Sequence, residues 1–345
     1  MNIAVLFGGK SSEHEVSRNS VCNVLNCLKN DKYTVYTIGI TKEGAWFLTN
    51  ASQEEIKSGA WEKRTDNESA WILPDPSVKG IYTASGKVLP IDVAYPVLHG
   101  KNGEDGTIAA LFQLAGIPQV TTTMTSAANS MDKALTKLIC ERAGIPQAAW
   151  TFVYSRELSD PDKVIAKIES ALPYPIFVKP ASAGSSVGIS KCHNREELLQ
   201  GLTAAAEHDF KIVLEETVVG REVEIAVLGN QDLIASVVGE IAPAAEFYDY
   251  DAKYNDANSL LFIPARITKE ESDLLRNTAK AVFSAMECVG FARVDFFLKE
   301  NGEVVFNELN TIPGFTNISM YPKLMEATGI PGEELLDRMI RLALE

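Results

Sequence analysis

Toward its C-terminus the chain reads Ala292-Arg293-Val294-Asp295-Phe296-Phe297-Leu298, then Asn301-Gly302, then Glu303-Val304-Val305-Phe306-Asn307-Glu308-Leu309-Asn310. No other stretch restricts the fold as tightly. Asn-Gly between two β-type runs signals a hairpin closed by a two-residue type I′ turn. With the turn at Asn301-Gly302, Asp295 faces Glu308 and Arg293 faces Asn310. Side chains alternate along a strand, so these four share one face of the ribbon. Val294, Phe296, Leu298, Val305 and Leu309 take the other face, where Asn307 is the one misfit.

Two carboxylates set directly across a ladder repel each other, and a bound cation would turn that repulsion into attraction. Asp, Glu and Asn offer oxygen only, which suits a hard ion such as Mg²⁺ or Mn²⁺. Proteins usually hold Mg²⁺ with one or two carboxylates plus substrate phosphates, so the ribbon also hints at a nucleotide. An exposed hairpin with solvated charges is the bland alternative. A slip of one residue would put Asp295 and Glu308 on opposite faces.

Upstream, strands and helices alternate, which favours a parallel sheet with helices on its faces. The pattern predicts strands at 3–7, 33–40 and 88–98 and helices at 17–28 and 106–115; residues 53–86 read as a polar surface segment. One helix is expected over 126–143, ended by Gly144 and Pro146. Strands at 149–153, 176–179, 211–215, 222–228 and 233–240 follow, with helices near 160–171, 195–206, 269–286 and 332–344. A length of 345 residues suits two or three domains.

The net charge of −14, with no cluster of Lys or Arg, argues against nucleic acid or an anionic membrane as partner. The N-terminus lacks the features of a signal peptide and no apolar run is long enough to cross a membrane. Five cysteines with no CxxC pair read as reduced thiols. Together these place the chain in the cytoplasm.

Four further segments carry possible chemistry. Ile176-Phe177-Val178-Lys179-Pro180 leads into the loop Ala183-Gly184-Ser185-Ser186-Val187-Gly188, whose backbone N–H groups and Lys suit an anion, although an ordinary turn explains it almost as well. It is not a Walker A loop, and Gly8-Gly9-Lys10 lacks the GxGxxG spacing of a dinucleotide fingerprint. In Glu13-His14-Glu15-Val16-Ser17, Glu15 either complements a helix dipole or holds a substrate ammonium at the C-terminal edge of the sheet. His99, after an apolar strand, is a structural or a catalytic imidazole. The aromatic and acidic stretch from Phe247 to Tyr254 is a lid or a plain surface loop.

In order along the chain, these motifs resemble the D-alanine–D-alanine ligases, within the wider ATP-grasp group. The carriers are Gly8-Gly9…Glu13-His14-Glu15-Val16-Ser17, Leu98-His99-Gly100…Gly103-Glu104-Asp105-Gly106, Met131-Asp132-Lys133, Val178-Lys179-Pro180…Gly184-Ser185-Ser186-Val187-Gly188, Phe247-Tyr248-Asp249-Tyr250…Lys253-Tyr254, Arg293-Val294-Asp295, and Asn307-Glu308-Leu309-Asn310-Thr311…Pro313-Gly314-Phe315-Thr316. The set spans essentially the whole chain. The resemblance implies an α/β chain of ATP-grasp architecture: an N-terminal parallel α/β domain over 1–121, then two α+β domains over 122–215 and 216–345 that clasp ATP.

It also implies an activity, the ATP-dependent ligation of two D-alanine molecules through an acyl phosphate for peptidoglycan precursor synthesis. Lys133, Lys179 and Lys253 would contact ATP, as would Ser185 and Ser186. Glu215 would sit at the adenine hinge and Glu222 at the ribose. Asp295, Glu308 and Asn310 would bind two Mg²⁺ or Mn²⁺ ions. Glu15 would hold the first D-alanine's ammonium, linked through Ser185 to Tyr254, with His99 near its carboxylate. Arg293 and the Gly314 N–H would stabilise the oxyanion, while Ser319 and Met320 would face the second substrate. The family also implies a homodimer.

Three positions depart from the usual pattern: Thr121-Thr122-Thr123 stands where a Gly-containing turn is common, Ala109-Ala110 where Gln-Gly is frequent, and Ala183 replaces a longer polar residue. The nearest rival is a ligase of the same fold that takes D-serine or D-lactate second; such relatives tend to carry Arg at the place of Met320. A catalytically silent nucleotide-binding protein is the rival from another class.

Overall fold

A computed structural model of the 345-residue chain describes residues 1–29, 31–242 and 260–345. The expected lid, with Lys253 and Tyr254, lies outside the described residues. Three sheets organise the remainder.

The first is parallel only along three strands at one end. Strand Asn2–Gly8 pairs in parallel with Thr34–Ile40 on one side and Val93–Pro96 on the other. Its interior is a run of wholly buried apolar residues, Ile3 to Phe7, as a strand covered on both faces requires. The 53–86 segment is more ordered than its polarity suggests. Strands Trp46–Leu48, Glu68–Ile72, Gly80–Thr83 and Val88–Pro90 extend the sheet antiparallel. A short helix, Gln53–Ser58, carries a Ser52/Glu55 capping box. Just beyond it Trp61 is fully buried, its ring 4.9 Å from that of Phe7. The expected strand over 88–98 is two strands, interrupted after Pro90, which pair with different partners.

The expected helix over 126–143 is also two, Met124–Met131 and Lys133–Arg142. Asp132 leaves the helical region at φ −85° and ψ 102°, and its carboxylate accepts hydrogen bonds from Ala134 N and Leu135 N, capping the second helix. Thr123 caps the first through Ser126 N, and Thr122 Oγ1 accepts from Val289 N, so the threonines that replace a glycine turn serve as anchors.

The second sheet is four-stranded, with Ile176–Pro180 between Ser190–Cys192 and Lys211–Glu216. The third is built around Arg221–Leu228 paired with Phe291–Leu298, which pairs in turn with Val304–Asn310. C-terminal helix Gly332–Leu344 packs with the first sheet as well as the third. Its Leu335, Leu336, Met339 and Ile340 join one buried cluster with Ile3, Val5 and Phe7, so the two ends of the chain share a core.

The hairpin keeps the expected pairs, Arg293 with Asn310 and Asp295 with Glu308, but by a different route. The turn has three residues, not two: Lys299 N donates to Glu303 O at 2.9 Å, and Gly302 N to Lys299 O at 3.0 Å with Gly302 at φ +81°. That shifts the register near the turn, pairing Phe296 with Phe306 and Leu298 with Val304. A β-bulge at Asn307 shifts it back before Glu308. The bulge explains the polar misfit. It also corrects the apolar face, which carries Val294, Phe296, Leu298, Val304, Phe306 and Leu309, while Val305 pairs with Phe297 on the opposite side.

Deleting Asn307 should close the bulge and leave Phe306 and Leu309 on the apolar face with Glu308 still opposite Asp295, changing stability by less than about 2 kcal/mol. Urea unfolding measures this; a loss of about 3–5 kcal/mol, the scale of an unpaired buried charge, would show that Glu308 had turned into the core and would contradict the bulge assignment.

Candidate active site

Helix His14–Cys27 begins behind the first strand and turns one face to the sheet. Ser17 Oγ is its pin, accepting from Gly8 N at 2.8 Å and donating to Val97 O. The buried positions Glu13, Ser17, Ser20 and Val24 follow that face, whereas Glu15 points away. Glu15 ion-pairs with Lys42 at the surface, its side chain 44% exposed. The expected role of Glu15 is therefore corrected: Glu13, 6% exposed, is the carboxylate turned inward, and its Oε1 accepts from Ser185 Oγ at 2.5 Å. This bond ties the first domain to the Gly/Ser loop. The fit leaves no room for side chains. A Cβ on Gly184 would lie 2.8 Å from Glu13 Oε2, and one on Gly100, at φ +70°, 2.6 Å from the same atom. Ser185 and Ser186 themselves adopt φ of +51° and +60°, a conformation that a built site stabilises against its usual cost.

Beside Glu13 stands Glu104, whose oxygens accept from Gly100 N at 2.8 Å and Ile312 N at 3.2 Å. Burial and the nearby Glu13 push its carboxyl up to about 8, against the two N–H groups and Arg293.

His99 is 3% exposed and both ring nitrogens are engaged within the protein. Nδ1 lies 2.9 Å from Ile312 O, so it carries the proton, and Nε2 accepts from Ser20 Oγ at 3.0 Å. Ser20 Oγ accepts in turn from Phe315 N at 3.2 Å. Burial lowers the imidazole pKa and keeps it neutral. His99 therefore joins the first helix to the loop that follows the acidic ribbon, with no ring nitrogen left for a substrate carboxylate.

The cleft between the second and third sheets is a cavity of about 610 Å³. Lys133, Lys179, Ser185, Ser186, Glu215 and Glu222 all line it, together with Phe297 and Glu308 of the hairpin. A smaller cavity adjoins it, sharing Lys133, Ala183, Asn307 and Glu308 and adding Glu104, Gly184 and Asn310. Lys133 reaches the junction because of the helix break at Asp132, and its Nζ donates to Ala183 O at 2.6 Å. Glu215 is buried between Lys179, 2.9 Å away, and Lys137, 3.4 Å away. Burial alone would raise its carboxyl; the two lysines outweigh that and hold it at about 2.

On the acidic ribbon, Arg293 Nε and Nη2 bond both oxygens of Asp295, at 2.8 and 2.7 Å, and Nε also lies 2.9 Å from Glu224 Oε2. Asn310 Nδ2 donates to Asp295 Oδ2 at 3.0 Å, which leaves its own Oδ1 as an acceptor. Asp295, Glu308 and Asn310 thus present oxygen donors on one face, a set that fits a hard divalent cation. Such an ion would share Asp295 with Arg293.

Past the ribbon, a Cβ on Gly314 would meet Ser319 Oγ at 2.8 Å, and Ser319 Oγ accepts from Thr316 N at 2.9 Å. Met320 does not face the cleft. It is buried in the core shared by the chain ends, where it packs over Gly239, which corrects its expected contact with substrate. Glu13, Glu104 and Lys137 were missed as site residues. The i, i+4 spacing of Glu13 and Ser17 is a signal that could have found the first; nothing local marks the other two.

The charge on Glu104 sets a pH dependence. Its folded pKa exceeds that of an unfolded carboxyl, so the folded state binds more protons between pH 4.5 and about 8 and loses stability as pH rises through that window. Glu104→Gln removes this loss. Urea midpoints at pH 5 and 8 should converge in the variant relative to the unaltered protein; parallel changes in both would contradict the assignment.

Comparison with known proteins adds identity to geometry. The family model described as D-ala D-ala ligase N-terminus matches residues 2–122, and D-ala D-ala ligase C-terminus matches residues 139–341. The chain is 47% identical to the D-alanine--D-alanine ligase of Acetivibrio thermocellus over 99% of this chain and 96% of that one. Among solved structures, VanG D-Ala:D-Ser ligase from Enterococcus faecalis superposes with a TM-score of 0.91 at 39% identity, covering 99% of both chains. The D-alanine-D-alanine ligase from Coxiella burnetii gives 0.89 at 32% identity, over 100% of this chain and 94% of that one. With the two family models together spanning most of its length, this chain belongs to the D-alanine–D-alanine ligase family, and its fold is the ATP-grasp fold.

Proposed function

We propose that this protein joins two D-alanine molecules with ATP as the energy source, supplying a dipeptide for peptidoglycan precursors. The observation that carries the reading is one cavity lined by Lys133, Lys179, Ser185, Ser186, Glu222 and Glu308, large enough for a nucleotide and opening onto the Glu13–Ser185 pair.

A carboxylate is a poor acyl donor, so the terminal phosphoryl group of ATP is first transferred to the carboxylate of one D-alanine, giving an acyl phosphate and ADP. The neutral amine of the second D-alanine attacks the carbonyl carbon, and inorganic phosphate leaves. In this scheme Lys133 and Lys179 hold phosphate oxygens and Glu222 the ribose. Glu13, oriented by Ser185, holds the first ammonium. Arg293 and the Gly314 N–H face the developing oxyanion, and Ser319 receives the second carboxylate. Asp295, Glu308 and Asn310 would hold two divalent cations, Mg²⁺ or Mn²⁺, whose charge would offset that of the transferring phosphoryl group.

No helix among the described residues is long and apolar enough to cross a membrane. A cytoplasmic homodimer is the state this reading takes; light scattering after size exclusion tests the dimer.

D-serine as second substrate is the alternative, motivated by the likeness to the D-Ala:D-Ser ligase. Phosphate release measured with D-alanine, D-serine and D-lactate as separate second substrates should be greatest with D-alanine. Faster turnover with either other substrate would reject the assignment.

The two carboxylates of the first helix are separable by kinetics. Glu13→Gln should lower kcat/KM for D-alanine about a hundredfold, the scale of losing one buried charged contact to substrate, and Glu15→Gln by less than about twofold. Equal losses, or the reverse order, would return the role to Glu15.

A further inference from the structure

The buried charges behind the cleft are not balanced. Glu215 carries one negative charge and has two lysines on it, Lys179 Nζ at 2.9 Å from Oε2 and Lys137 Nζ at 3.4 Å from Oε1. One lysine would neutralise the carboxylate. The second adds an ammonium that must be stripped of water, and Lys137 pays that penalty in full, at 2% exposure of its side chain against 13% for Lys179. Lys137 Nζ makes no hydrogen bond with good geometry; the Glu215 carboxylate is its charge partner.

The two lysines also differ in reach. Lys179 lines the large cavity, as does Glu215, whereas Lys137 does not touch it and lies one helical turn beyond Lys133, on the side of the smaller cavity. When an anion enters the large cavity, Lys179 is the ammonium free to move toward it. Doing so would strand a buried carboxylate if Lys179 were its sole partner. Lys137 removes that obstacle, because Glu215 stays paired while Lys179 changes partners.

We propose that Lys137 is a positioning residue: by holding Glu215 from behind, it releases Lys179 to bind the phosphates of the nucleotide. The inference rests on the reading of the large cavity as a nucleotide site and assigns Lys137 no contact with substrate. It predicts an effect confined to the phosphate end of the ligand. In Lys137→Met, Glu215 has only Lys179 and keeps it, so the phosphates lose a charged contact while the adenine and ribose keep theirs. A lysine that merely filled space would affect every ligand alike when replaced.

The test uses the full-length protein and isothermal titration with ADP and with adenosine, which lacks phosphates. The ratio of the two affinities is the readout. Lys137→Met should lower the ratio about tenfold, the scale of one charge-assisted hydrogen bond, and Lys137→Gln should do the same. Adding Glu215→Gln to Lys137→Met should restore the ratio, since a neutral amide no longer holds Lys179. An unchanged ratio in both single variants overturns the inference, as does a ratio that stays low in the double variant. If the unaltered protein binds no ADP, the nucleotide reading fails and the inference fails with it; binding with an unchanged ratio removes the inference alone.

Discussion

The site depends on one buried cation. Arg293 stands between Glu224 and Asp295 and bonds both oxygens of Asp295. Without it, strands Arg221–Leu228 and Phe291–Leu298 would bring two acids side by side in register, Glu224 opposite Asp295, with Glu308 across the next ladder. Like charges so placed destabilise a sheet. The guanidinium, planar and always charged, makes the arrangement stable before any ligand arrives, and the acids raise its pKa further despite burial. A fixed acidic face is thus compatible with a folded core immediately beneath it, at Val294, Phe296 and Leu309.

The same economy recurs around the cleft. Several charged groups around it are held by a neighbour on another element: Glu13 by Ser185, Lys133 by Ala183 O, Glu215 by two lysines. The Glu13–Ser185 bond links the first helix to the loop beside the second sheet, whereas Lys179 and Glu215 pair across neighbouring strands of that sheet. The C-terminal helix, whose apolar face joins the core of the first sheet, closes the chain on itself and fixes the third sheet relative to the first. Glycines at positions 100 and 184 let the loop backbones approach Glu13.

Helix and strand positions were legible wherever the apolar pattern was long. Helix Lys269–Ala285 follows its periodicity, and strand Asn2–Gly8 follows an unbroken apolar run. Short strands in the 53–86 segment were not, because a four-residue strand has too few alternations to register against a polar background. The break at Asp132 was hidden because a capping carboxylate and a helix-interior one look alike in sequence; its two backbone partners distinguish them only in space. In the hairpin, a turn one residue longer than expected and a bulge at Asn307 offset each other, so the right pairs emerged from the wrong turn.

By itself the sequence determined which chemistry was present: oxygen donors opposed on a ribbon, a lysine before a glycine-serine loop, and the order of motifs that marks the family. These follow from local spacing, since neighbours on a strand or helix have fixed relative directions. Only the tertiary structure decided which of two carboxylates in Glu13-His14-Glu15 looks inward, that His99 is held by Ile312 and Ser20, that Met320 is core, and that Lys137 lies behind Glu215. Each of these is a contact between residues remote in the chain, and burial and pairing at such contacts are set by how sheets and helices pack, which no local pattern encodes.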